Sequence, residues 1–135
     1  MNGETVGLSE SDDAPMKAYK KNMAFTSAAE SAAKRIKDQF NLTDVLDAGR
    51  LSIAYALREG IPVERAPGFG PMSGSNYNVG SVDPDGELRD LLLALRPGLN
   101  EDPYRVLETL MNDGALKLDA EVSSASILSL RDLLN

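Results

Sequence analysis

The sequence predicts a mainly α-helical domain: a short N-terminal strand or arm, a helical hairpin, a second helical hairpin, and a weak C-terminal helix. Three observations carry this expectation. Apolar residues recur at helical spacing in successive windows from residue 28 onward. Gly and Pro fall between those windows rather than inside them. The aromatic supply is small, three Phe, four Tyr and no Trp, so the core must come from Leu, Ile, Val and Ala. At 135 residues the chain suits one domain with a modest core.

Residues 1–15 lack periodicity and carry Glu4, Glu10, Asp12 and Asp13 without a basic residue. They are expected to be a disordered acidic tail. Residues 16–135 are expected to form a single compact domain. Within it, 16–60 make the strand and first hairpin, 61–82 a Gly/Pro-rich loop, and 83–135 a helical C-terminal part.

Lys20 to Thr26 alternates, as a strand does. Met23 and Phe25 then point to the core, with Lys20, Asn22 and Ala24 on the outer face. Ser27-Ala28-Ala29-Glu30 reads as a capping box opening a helix from Ala28 to about Phe40. Its apolar stripe is Ala29, Ala32/Ala33, Ile36 and Phe40. Asn41-Leu42 makes the turn, Thr43 is the expected N-cap, and a second helix runs to Arg58 or Glu59 before Gly60 and Pro62 stop it. This second helix is apolar almost all round, with a narrow polar edge of Asp47, Arg50, Ser52 and Arg58. Either the later helices or a second copy of the chain must cover it.

From Ile61 to Val82 the chain is loop-like, and Gly68-Phe69-Gly70 lacks the third glycine of a dinucleotide fingerprint. Asp83-Pro84 is expected to cap the next helix, whose inner face is Leu88, Leu91, Leu92 and Leu95. Asn100 or Asp102 caps its successor, with Val106, Leu107, Leu110 and Met111 inward and Asn112-Asp113-Gly114 as its end. Leu116, Leu118 and Val122 alternate as an extended segment would. Ser123 to Asn135 reads as the last helix, with Ile127, Leu130, Leu133 and Leu134 inward.

Composition narrows the function. The chain has no Cys and no His, which excludes disulfides, thiolate chemistry, a histidine base and the usual zinc sites. No metal, cofactor or catalytic residue is expected, and the chain is read as no enzyme. No apolar run approaches the ~18 residues that span a membrane, and the acidic start Met1-Asn2-Gly3-Glu4 has neither the basic nor the apolar region of a signal peptide, so none is expected. A cytoplasmic location is expected. The net charge of −7 argues against nucleic acid, yet its distribution is uneven. Residues 16–40 hold Lys17, Lys20, Lys21, Lys34, Arg35 and Lys37 against only Glu30 and Asp38, whereas the C-terminal half is acidic. Phosphate binding follows the local field, within a Debye length of ~8–10 Å, more than the total charge.

The order strand, helix, turn, buried helix resembles a ribbon-helix-helix unit. In such proteins two chains pair their strands and the ribbon enters the DNA major groove. Phe25-Thr26-Ser27-Ala28-Ala29, Arg35-Ile36-Lys37, Asn41-Leu42 and Leu51-Ser52-Ile53-Ala54 further resemble the DndE family of DNA sulfur-modification proteins. Gly74-Ser75-Asn76-Tyr77-Asn78, Leu91 to Arg96 and Leu110 to Leu116 stand in corresponding order. That resemblance implies a non-enzymatic, homo-oligomeric protein binding double-stranded and nicked DNA, alongside other proteins of a bacterial phosphorothioation and defence system. The chain departs from the pattern at Asn76, Asn78, Met111, Asn112 and Asp113. The carried-over DNA contacts are therefore the basic residues Lys17, Lys20, Lys21, Lys34, Arg35 and Lys37; strand alternation adds Asn22, expected to meet the groove beside Lys20. Two alternatives stand beside it: a ribbon-helix-helix repressor or antitoxin, and a protein-binding adaptor that touches no DNA and docks by the acidic half.

Overall fold

The computed structural model describes residues 19–125, 127 and 129–134, so Lys17 and the expected tail lie outside the described residues. The chain is mainly helical, as expected. Strand β1 (Asn22–Ala24) leads into helices α1 (Ser27–Phe40) and α2 (Val45–Glu59). Strand β2 (Asn76–Asn78) and the single turn α3 (Val79–Val82) follow, then α4 (Glu87–Leu95), the long α5 (Pro103–Ser123) and the short α6 (Leu130–Leu134).

The first hairpin forms nearly as the sequence directs. Ala29, Ala32, Ala33, Ile36 and Phe40 are all buried. Asn41 adopts the left-handed conformation at the end of α1, and Gly60 does so at the end of α2. Both caps sit one residue away from their expected places. Thr26, not Ser27, is the N-cap of α1 and accepts from the Ala29 amide at 3.1 Å. Asp44, not Thr43, caps α2 by accepting from the Asp47 amide at 2.9 Å. Glu30 therefore sits outside a capping box, and its carboxylate turns to the 73–75 segment.

α5 is the element the sequence divides wrongly. It runs unbroken through Asn112-Asp113-Gly114, and Leu118 points into the core from what was expected to be an extended segment. Its 21 residues make a rod of about 30 Å, and both α1 and α2 pack along it. Gly114 belongs to this crossing. A Cβ there would collide with the Ser52 carbonyl oxygen, and one on Gly49 would press on Met111 Sδ and Phe25 Cζ at 3.2 Å. Glycine in mid-helix costs about 1 kcal/mol relative to Ala, so close helix approach outweighs propensity here. α5 thus supplies, from within the chain, the cover that α2 requires. Ser52, expected at the polar edge, is fully buried and donates to the Ala48 carbonyl at 2.7 Å.

The 61–82 segment is not a simple loop. Asn22, Met23 and Ala24 pair antiparallel with Asn78, Tyr77 and Asn76. The ladder extends at both ends, with Val79 N–H donating to Lys21 and Phe25 N–H donating to Ser75. A ribbon does form, but both of its strands come from one chain. Tyr77 stacks edge-on against Phe25 with ring centroids 6.0 Å apart.

α4 starts three residues later than expected. Asp83 still serves it, accepting from the Leu88 and Arg89 amides and from the Tyr104 hydroxyl. Of the four leucines expected inward, Leu92 is fully buried and Leu88 half-buried, whereas Leu91 and Leu95 are exposed. α6 buries Leu133 and leaves Leu130 exposed.

Candidate nucleic-acid interface

The ribbon is held from behind by α5. Two buried side chains, Glu108 and Asn112, stand one helical turn apart and so share a face. They meet the side of β1 that β2 does not use. Glu108 Oε2 accepts from the Ala24 amide at 2.8 Å. Asn112 Oδ1 accepts from the Thr26 amide at 2.7 Å, and its Nδ2 donates to the Ala24 carbonyl at 3.0 Å. Side chains here do what a third strand's backbone would do. They also explain why Ala24, expected on the outer face, is buried.

Glu108 is a buried charge and needs cations. Arg65 Nη2 lies 2.8 Å from Oε1, its Nε donates to Thr109 Oγ1 at 2.7 Å, and Lys20 Nζ lies 3.7 Å from Oε2. The Arg65 guanidinium also stacks 4.6 Å from the Phe69 ring centre, so one arginine fastens the 61–75 segment to α5. Beside it, burial pushes the Asp113 carboxyl above its ordinary value, and Arg65 partly opposes that shift. On the far end of the ribbon, Glu30 accepts from the Ser75 hydroxyl and from the Ser75 amide at 2.9 Å. The Ser75 hydroxyl is the main cause that holds the Glu30 carboxyl below its ordinary value; burial acts the other way, and Lys34 helps.

The front of the ribbon is open. Asn22 and Asn78 are opposite partners in the register, and Asn76 is two residues from Asn78 on the same face. All three are exposed. Lys21 stands at the start of β1, exposed and without an ion pair among the described residues, and Lys34 is likewise exposed and unpaired on α1.

The other basic candidates among the described residues are engaged. Lys20 gives its backbone amide to Asp102 at 2.6 Å and its ammonium to Glu108. Arg35 makes a bidentate contact to Asp119, with Nη2 2.8 Å from Oδ2, and that contact raises the guanidinium pKa further. Lys37 lies 3.7 Å from Asp38. The acidic C-terminal half thus neutralises part of the basic N-terminal cluster within the fold. Asn76 and Asn78 are the residues that sequence reasoning set aside as losses. The alternation Asn-Tyr-Asn, polar on either side of a half-buried aromatic, was the available signal.

Among the described residues no group of three or more carboxylates could hold a metal ion, and no helix is long and apolar enough to cross a membrane. The chain matches no protein-family model, no curated protein and no solved structure.

Proposed function

We propose that this protein is a non-enzymatic, cytoplasmic DNA-binding accessory protein, of the kind the DndE resemblance implies for bacterial DNA modification and defence. One observation supports this reading best: an exposed face of three asparagines, Asn22, Asn76 and Asn78, lies on a two-stranded ribbon beside Lys21, which has no ion pair among the described residues. A two-stranded ribbon fits the major groove, where an asparagine amide can bond both ways to adenine. Lys21 and Lys34 hold phosphates, with Lys17 as a further candidate. Lys20, Arg35 and Lys37 contribute to the local field, since each already has a carboxylate. The ribbon is complete in one chain, which favours this reading over a ribbon-helix-helix repressor that needs a second chain's strand.

The test is anisotropy binding to nicked, intact and single-stranded DNA across a salt series. Lys21→Ala/Lys34→Ala is expected to flatten the slope of log K against log salt by about 0.9 for each phosphate no longer neutralised. Asn22→Ala/Asn78→Ala is expected to change the preference among DNAs and leave the slope unchanged. Absence of wild-type binding at low salt, or binding indifferent to both variants, refutes the proposal.

A further inference from the structure

At the start of α4 an open hollow of about 420 Å³ combines an apolar lining with excess negative charge. Val82, Pro84, Leu88 and Leu91 line it, together with Asp85 and Glu87. Leu88 and Leu91 are three residues apart and so are neighbours on the helix surface. Leu91 is 44% exposed, so the hollow offers apolar surface to solvent.

The carboxylates here lack cations. Asp85 and Glu87 are exposed and have no ion pair among the described residues. The positive end of the α4 dipole, worth roughly half a charge, is already taken by buried Asp83, which accepts from the Leu88 and Arg89 amides. Arg50 also borders the hollow, but its charge is spent: Nη1 lies 2.8 Å from Asp47, Nε donates to the Val82 carbonyl at 3.1 Å, and Nη2 donates to the Ser81 carbonyl. Arg89 is paired with Asp90 at 3.1 Å. Capping therefore accounts for Asp83 and leaves Asp85 and Glu87 unanswered.

We infer that this hollow docks a basic amphipathic helix of another protein. An apolar side chain of that helix seats against Leu88 and Leu91, and flanking Lys or Arg side chains reach Asp85 and Glu87. Apolar anchors laid into a groove supply affinity, and opposite charges at the edge select the partner and speed its approach. An acidic segment would satisfy the leucines but would be repelled by the carboxylates. None of the ribbon's exposed residues lines the hollow, so this inference does not rest on the DNA reading.

The experiment is fluorescence anisotropy with the full chain and a labelled synthetic helix made only of leucine and lysine, the leucines at helical spacing on one face. Saturable binding is expected, and none to the same peptide with glutamate in place of lysine. Asp85→Asn/Glu87→Gln is expected to weaken binding roughly threefold to tenfold. The control Glu64→Gln/Glu101→Gln removes the same charge from exposed positions outside the hollow and is expected to bind like the wild type. Leu91→Glu separates docking from mere charge attraction. It adds negative charge and removes apolar surface, and is expected to weaken binding about tenfold with the circular dichroism spectrum unchanged. The neutral variant Leu91→Gln is expected to weaken it as well. A wild type that ignores the leucine–lysine helix, or takes the glutamate version equally well, overturns the inference. So does a control variant that loses as much affinity as Asp85→Asn/Glu87→Gln, or a Leu91→Glu variant that binds as tightly as the wild type or more so.

Discussion

Asn112→Ala removes a side chain that closes the free edge of β1. Its cost can be worked from the hydrogen bonds it makes. The Thr26 amide loses an acceptor at 2.7 Å and the Ala24 carbonyl a donor at 3.0 Å. Thr26 and Ala24 are 5% and 7% exposed, so water does not readily replace the missing partner. Each orphaned group costs about 1–3 kcal/mol, which gives about 2–6 kcal/mol for the pair. The third bond, to the Glu108 carbonyl at 2.8 Å, adds little, because that carbonyl keeps its helical partner. Against a stability of ~5–15 kcal/mol for a typical domain, the loss is large. Urea unfolding should show a lower midpoint with the slope unchanged. Hydrogen exchange should show the Thr26 amide losing protection relative to amides in the middle of α1. Asn76→Ala, at an exposed position on the front of the ribbon, is the control and should stay within about 0.5 kcal/mol of wild type. A loss below about 1 kcal/mol for Asn112→Ala, or an unchanged Thr26 amide, would refute the edge-closing role.

Two further outcomes follow from the same region. Thr26→Ala should destabilise by about 0.5–2 kcal/mol through removal of the N-cap, whereas Ser27→Ala, which gives up only an exposed hydrogen bond to Ser73, should cost about 0.5 kcal/mol or less; the reverse order in thermal melts would show the cap to be misassigned. Glu30→Gln should be less stable than wild type at neutral pH. Because the folded state lowers this carboxyl's pKa from 4.5, the contribution is present above the unfolded value and fades as pH falls through the folded one. The gap between the two melting temperatures should therefore shrink between neutral pH and about pH 3, and a constant gap would mean that the Glu30 charge plays no part.

Local signals gave the first hairpin well. The stripe Ala29 to Phe40 and the stops at Asn41 and Gly60 each depend on near neighbours, so periodicity and turn chemistry suffice to read them. The second half resisted for a physical reason. Asn112 and Gly114 look like a helix end, yet one serves β1 and the other admits α2, so both answer to residues far along the chain. β2 is three residues of Asn-Tyr-Asn within a Gly-rich run, and its pairing with β1 is set by tertiary contact alone. The leucines of α4 obey helical spacing, but periodicity alone does not say which side meets the core. The basic cluster was visible in the sequence. That Lys20 and Arg35 are matched by acids on α5, 84 positions away in the case of Arg35 and Asp119, was not.

The closing of β1 by Glu108 and Asn112 bears on how the protein behaves in a crowded solution. A strand with an open side is a template on which another chain can continue the sheet, and repetition of that step leads to aggregates or exchanged strands. Here one side of β1 belongs to β2 and the other ends in a carboxylate and an amide, which leave no ladder to extend. What remains open is β2, three residues long, too short to recruit a stable neighbour. Neighbouring molecules are therefore not drawn on into a shared sheet.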